Sequence, residues 1–179
     1  MTDKHFIYGV PGVGKTTIAS SFAKRHNYLY LELDFLRLKA QKLASRDEEP
    51  FIYEYSTDAW KKFGRLSNQT AIQGFLAVRK AFQKYIAHEL TLHGGGYIAE
   101  VVYIDPSTVL GPDSRVTLVV TPNEQLHYSH FFLHREHSAD EDTQFKAARY
   151  IQEFLIDEAT SLGVEIFENN QTDSTTLFW

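Results

Sequence analysis

Two rhythms of apolar residues alternate along this chain. Short apolar runs sit at Phe6-Ile7-Tyr8, Tyr28–Leu33, Tyr97–Tyr103, Arg115–Thr121 and Val164–Phe167. They have the length of strands, and the first extends over about residues 5–9. Between them, apolar positions recur every three or four residues. One helix is expected from the end of the first loop to about His26 and another over about 34–45. An irregular acidic stretch, Asp47-Glu48-Glu49-Pro50, follows, and a short helix is expected near Thr57–Phe63. Ile72, Phe75, Leu76, Phe82, Ile86 and Leu90 mark one face of a long helix from about Asn68 to His93, which Gly94-Gly95-Gly96 brings to an end. Thr121-Pro122-Asn123-Glu124 has the form of a helix start, with Thr as cap, Pro at the first position and Glu three residues after the cap. That helix is expected to reach about His137. A short polar stretch, Ser138-Ala139-Asp140-Glu141-Asp142, then leads into a last long helix over about 143–162, stopped by Gly163. Asn169-Asn170 onward reads as a tail. Strands that alternate with helices require right-handed crossovers and a mostly parallel sheet. The expected fold is therefore α/β, a three-layer sandwich around a five-stranded sheet. Residues 1–179 are expected to form one domain with a short lid at about 134–145.

Composition narrows the classes. With 179 residues, 43% hydrophobic and 14% aromatic, the chain can bury a substantial core. It has no apolar run of membrane-spanning length and no secretory leader pattern, which makes the cytoplasm the expected location. The absence of cysteine excludes disulfides, zinc–thiolate sites and thiol nucleophiles. A net charge of −5 argues against a general nucleic-acid footprint, so any anionic ligand has to be met by local cations.

The strongest chemical signal follows the first strand. Residues 9–16 read G-V-P-G-V-G-K-T, a complete G-x-x-x-x-G-K-[ST] loop between a strand and a helix. Gly9, Gly12 and Gly14 let successive N–H groups, including those of Val13 and Thr17 at the loop's edge, turn toward phosphate oxygens. The helix opening at Lys15 adds the positive end of its dipole. Lys15 is placed to reach the β- and γ-phosphates, and the hydroxyl of Thr16 to ligate Mg²⁺. A nucleoside triphosphate such as ATP, with Mg²⁺, is the implied cofactor.

Other residues cluster around the same sheet edge. Asp34 closes the second strand, where a carboxylate can take the proton of an acceptor hydroxyl or serve as a plain helix cap. Arg37, one turn later, can grip a phosphate or carboxylate, or lie on a solvated face. Glu100 ends Tyr97-Ile98-Ala99, where an acid can hold the Mg²⁺ shell indirectly, or be one polar position in a longer strand. His127, His130, His134 and His137 are spaced to share one helix stripe. Four histidines spread over three turns do not converge on one ion, and a polar face lining the cleft is the better reading than a metal site. Arg135 and Arg149 bracket the polar stretch and can bring positive charge to a transferring phosphoryl group. For Arg149 an ion pair with Glu153 is the alternative.

With these residues in place, the chain resembles the archaeal-type 2-phosphoglycerate kinases, a branch of the P-loop small-molecule kinases, over nearly its whole length. The shared features beyond the loop are D-F-L-R (Asp34 to Arg37), Pro50 with Tyr55-Ser56-x-x-Ala59-Trp60, and Gln73-Gly74-Phe75. To these are added I-A-E-V-V-Y-I-D-P, F-K-A-A-R-Y-I-Q-E-F-L (Phe145 to Leu155) and G-V-E-I-F-E-N. The resemblance implies transfer of the γ-phosphoryl group of ATP to the 3-hydroxyl of 2-phosphoglycerate, with Lys15, Thr16, Asp34, Arg37, Glu100 and Arg149 in the family's roles. The chain departs from the pattern at Val101 and Tyr103, where the family tends to carry Gly and His, and at His130 and His134, where arginines are expected. Imidazoles there carry partial charge, so stabilisation by the lid would depend on pH. A nucleoside monophosphate kinase-like enzyme is the nearest alternative within the same class, and the lack of a D-G-F-P-R-type element after the third strand counts against it. A nucleotide-driven switch protein without a small acceptor is the alternative from another class.

Overall fold

The computed structural model describes residues 4–133 and 138–170. Five strands form one sheet, β1 (Lys4–Tyr8), β2 (Leu29–Glu32), β3 (Tyr97–Val101), β4 (Ser114–Val120) and β5 (Glu165–Glu168). Their order is β2-β3-β1-β4-β5, and every pairing is parallel. The helices are α1 (Lys15–His26), α2 (Leu36–Leu43), α3 (Asn68–Thr91), α4 (Glu124–Phe131) and α5 (Ala139–Leu162), with single 3₁₀ turns at Leu33–Phe35, Pro50–Tyr53, Ala59–Lys62 and Pro106–Thr108. The chain moves one way along the sheet from β1 to β2 and the other way thereafter. Right-handed crossovers therefore put α1 on one face and α3 and α5 on the other. The contacts agree, since α1 packs on β1, β2 and β3, whereas α5 packs on β4, β5 and α3. The expected three-layer α/β sandwich is what forms.

Packing follows the apolar pattern. Tyr8, Tyr97, Ile98 and Leu118 from the sheet are fully buried with Phe75 and Phe82 of α3 and Ile151 and Leu155 of α5. A paired charge also crosses this layer. Arg79 of α3 makes a two-pronged salt bridge to Glu158 of α5 at 2.6 and 2.9 Å, with Arg79 only 5% exposed. Gly74 lets α3 lie directly on the turn at Ala59–Lys62, because a Cβ there would stand 2.4 Å from the Trp60 nitrogen and 2.6 Å from the Ala59 carbonyl carbon.

Local capping moves several expected boundaries. The Thr121 start is displaced to Asn123, whose side chain accepts from the Leu126 N–H at 2.9 Å. Thr121 stays extended because Gln152 of α5 bonds both its N–H and its carbonyl and because Pro122 disfavours a helical residue before it. The Ser138–Asp142 stretch is the opening of α5, capped by Ser138 and carrying Asp140, Glu141 and Asp142 in its first turn, where the helix dipole favours acids. The expected lid at 134–145 thus falls partly on this first part of α5, and 134–137 lie outside the described residues. Among the described residues no helix is long and apolar enough to cross a membrane.

The Gly74 contact is testable. Gly74→Ala should push α3 off the Ala59–Lys62 turn and lower stability by about 1–3 kcal/mol, as overpacking does. An unchanged urea unfolding midpoint would show that the two elements are not held in contact.

Candidate functional site

The carboxyl ends of β1 and β3 flank the point where the chain changes direction along the sheet, and ligands of such folds bind in that crevice. The loop Gly9–Thr16 occupies it. Gly12 (φ 85°) and Gly14 (φ 87°) adopt the left-handed region, and Gly14 is the N-cap of α1. Neither position has room for a side chain. A Cβ on Gly12 would stand 2.9 Å from the Phe131 Cα, and one on Gly14 would stand 2.5 Å from Nδ2 of Asn169. Lys15, only 6% exposed, folds back so that its ammonium donates to the Val10 carbonyl at 3.1 Å.

Glu100 lies beside this loop, buried, with Ile7 as its neighbour on β1. The Thr16 hydroxyl donates to its Oε1 at 2.7 Å, and the Tyr30 hydroxyl donates to its Oε2 at 2.6 Å. The two residues expected to share Mg²⁺ are therefore in contact, and both offer the hard oxygen ligands that this ion takes. Burial first, then the bond to Glu100, pushes the Tyr30 phenol well above its usual range, which keeps it a proton donor.

Asp34 sits in the turn after β2 and is partly buried. It is not a helix cap: its Oδ1 accepts from the Val102 N–H at 3.3 Å, across the gap to the end of β3. Burial raises its pKa above the ordinary aspartate range, helped by Glu100 and opposed by Lys15, the Val102 N–H and Arg37. Glu32, the neighbour of Glu100 on β2, is also raised, by burial and by the charges of Glu100 and Asp34. The charges of Glu32's and Asp34's carboxylate neighbours on this edge thus add to burial in raising the proton affinity of these two residues.

Arg37 does not present the open fork expected for an acceptor group. Its Nη1 donates to the carbonyls of Ile52 at 3.0 Å and Glu54 at 2.7 Å, and its Nη2 donates to the Tyr103 hydroxyl. The guanidinium lies over the rings of Tyr55 (4.6 Å), Phe82 (5.2 Å) and Tyr103 (5.4 Å). It fastens residues 50–55 to the end of β3.

The histidine stripe divides. His127 is fully buried, and its Nε2 bonds the Pro11 carbonyl at 2.9 Å, while His130 is half-buried. His134, Arg135 and His137 lie outside the described residues. Among the described residues no group of three or more His, Cys, Asp or Glu is placed to hold a metal ion. Arg149 is directed to the end of β4 and not to Glu153. It donates to the Thr121 carbonyl at 2.8 Å and the Pro122 carbonyl at 3.1 Å, and its Nη1 meets Nδ1 of His127 at 3.3 Å.

Two residues at this edge carried no expectation. Tyr30 reaches Glu100 diagonally across the β2–β3 pair, a relation that needs the strand register to be seen. Asn169, read as the start of a tail, donates from Nδ2 to the Val13 carbonyl at 3.0 Å, and its N–H donates to the Val120 carbonyl at 2.7 Å. Its position one residue past the last strand, on the ligand-bearing edge, was the available signal.

A parallel sheet in this order, with a glycine-rich loop feeding a helix at its carboxyl edge and an acid on the neighbouring strand, defines a P-loop nucleotide-binding protein of the kinase fold. The chain belongs to the ATPase family associated with various cellular activities (AAA), whose profile matches residues 5–106. It is 26% identical over 182 residues to 2-phosphoglycerate kinase of Methanocaldococcus jannaschii, an alignment covering 94% of this chain and 59% of that relative, so the chain spans about three-fifths of that protein's length. It is also 26% identical over 181 residues to mevalonate-3-phosphate 5-kinase of Thermoplasma acidophilum, covering 92% of this chain and 87% of the relative. In three dimensions it is similar to shikimate kinase from Acinetobacter baumannii, with a TM-score of 0.53 at 14% identity over 97% of this chain and 87% of that one. This last likeness concerns the fold.

Burial dominates at His127 and pushes its pKa down to about 4. The Pro11 bond opposes the shift, and Arg149, His130 and Lys15 reinforce it. In the unfolded chain the ring titrates near 6.5. Between those values the unfolded state binds a proton that the folded state refuses, so stability is lost as pH falls from about 6.5 to 4. Urea unfolding should show this loss in the wild type, up to a few kcal/mol, and a smaller one in His127→Gln. Equal pH slopes for the two proteins would contradict a neutral buried imidazole.

Proposed function

We propose that this chain is an ATP- and Mg²⁺-dependent small-molecule kinase. It passes the γ-phosphoryl group to a hydroxyl of a small anionic metabolite, with 2-phosphoglycerate the leading acceptor. The observation that carries this reading is the 2.7 Å contact between the Thr16 hydroxyl and the Glu100 carboxylate, beside a carboxyl, Asp34, whose proton affinity is raised.

In this reading the backbone of Gly9, Gly12, Val13, Gly14 and Thr17 surrounds the phosphates, and Lys15 leaves the Val10 carbonyl for the β- and γ-phosphates. Mg²⁺, held by Thr16 and through water by Glu100, would supply positive charge to the phosphate oxygens. Asp34 takes the proton of the acceptor hydroxyl as that oxygen bonds to the γ-phosphorus and the bond to ADP breaks. Withdrawal from water makes it a better base than a surface aspartate. Arg37 shapes the acceptor side by fixing residues 50–55, and Arg149 contributes positive charge beside the loop. The protein is read as cytoplasmic and without nucleic-acid or membrane partners, in keeping with its net charge of −5.

The acceptor class has a second support. The names of the two curated relatives share a chemistry, since 2-phosphoglycerate and mevalonate 3-phosphate are both carboxylates with one phosphate ester and a free primary hydroxyl. The AAA match favours one other reading, a nucleotide-driven switch that hydrolyses ATP without any acceptor.

The test is ADP release from Mg-ATP with 2-phosphoglycerate, 3-phosphoglycerate, mevalonate 3-phosphate, glycerate, nucleoside monophosphates or no acceptor, with phosphorus NMR of the products. Acceptor-dependent turnover giving a bisphosphorylated hydroxy acid is expected. Equal turnover without acceptor would replace the kinase by the switch. Lys15→Ala should abolish turnover. Asp34→Asn should lower kcat by about 10²-fold or more with little change in KM for ATP, as loss of a general base does. Retained kcat in Asp34→Asn would remove this residue from the chemistry.

A further inference from the structure

A loop whose N–H groups face phosphates turns its carbonyls toward the protein. Two side chains from distant parts of the chain meet those carbonyls. His127 of α4 meets that of Pro11 at 2.9 Å, and Asn169 after β5 meets that of Val13 at 3.0 Å. His127 has a further neighbour in Arg149 of α5, whose Nη1 lies 3.3 Å from Nδ1. A carbonyl only accepts, so Nε2 carries the proton. A guanidinium only donates, so Nδ1 presents its lone pair. Both neighbours therefore require the same neutral tautomer, and the ring is fixed in place by Phe131 and Phe145, with centroids at 6.3 and 5.1 Å. Phe131 also lies against Gly12, so α4 braces the loop through residues on two successive turns.

We propose that His127 is a positioning residue that ties Arg149 to the Pro11 carbonyl of the phosphate loop, so that the loop's grip on nucleotide depends on the chain Arg149–His127–Pro11. His127 touches no substrate in this arrangement. It transmits the anchoring of Arg149 on the Thr121 and Pro122 carbonyls to the loop. Replacing one link leaves the others without their partner, so losses along the chain do not add. The proposal rests on the nucleotide-binding part of the functional reading and not on the acceptor.

The test measures Mg-ADP binding to the full chain by calorimetry. His127→Phe keeps an aromatic ring in the cluster and removes both hydrogen bonds. It should weaken Mg-ADP by about tenfold, the scale of one lost bond. His127→Gln, which has a donor and an acceptor, should recover most of that affinity. Arg149→Gln should weaken binding in the wild type through both its charge and the tie to His127, and should cost clearly less in the His127→Phe background, where only the charge is lost. Nitrogen NMR at neutral pH should show His127 protonated at Nε2 and bare at Nδ1. The proposal is overturned by wild-type affinity in His127→Phe, by additive losses in the double variant, or by the opposite tautomer. If His127→Phe does not fold, the tautomer still decides. A silent acceptor panel with these binding effects intact would remove the kinase reading alone, whereas acceptor turnover without them would remove only this proposal.

Discussion

Everything at the ligand-bearing edge answers to the geometry of one loop. To place several N–H donors around an anion, residues 9–16 must bend through backbone conformations that only glycine adopts without strain, and the bend leaves carbonyls facing inward. Buried carbonyls need donors. Lys15 serves Val10, His127 serves Pro11 and Asn169 serves Val13. The absence of side chains at Gly12 and Gly14 is used from both sides, because Phe131 and Asn169 fill the space that a Cβ would take. The loop's form is thus held by α4 and by the residue after β5 as much as by its own glycines.

The same edge concentrates negative charge before any nucleotide arrives. Glu32, Asp34 and Glu100 sit on adjoining strand ends, and burial with mutual repulsion raises the proton affinity of the first two. Hydroxyls from Thr16 and Tyr30 satisfy both oxygens of Glu100, and the charges of Lys15 and Arg37 oppose the shift at Asp34. Such an arrangement favours a cation, in keeping with the divalent ion and the proton acceptor of the proposed function.

How much of this was legible in the sequence depended on range. The rhythm of apolar residues located the five strands and the long helices, because burial of one face leaves its period in the sequence. The shared placement of the phosphate loop, Thr16, Glu100 and Asp34 was legible because each lies at or shortly after a strand end, and parallel strands bring those ends together. Tyr30 was not, since its reach to Glu100 depends on register. Asn169 and the link from His127 to Pro11 were not, since they join residues 156 and 116 positions apart. The start of α4 was misread because Thr121 and Asn123 are both good caps, and the choice was made by a tertiary contact from Gln152.

Arg37 and Arg149 show where residue type alone misleads. Both suited an anion, and both donate to backbone carbonyls at loop ends. A carbonyl is a neutral acceptor, so these bonds fix the guanidinium without cancelling its charge. A unit charge acts across about 6 Å with roughly 3 kcal/mol at an effective dielectric near 20. In the proposed kinase, an arginine bonded to carbonyls would still favour phosphate in the adjoining cleft, from a position that does not depend on the ligand. The ordering of two long side chains is completed when the protein folds and does not have to be repeated when nucleotide binds.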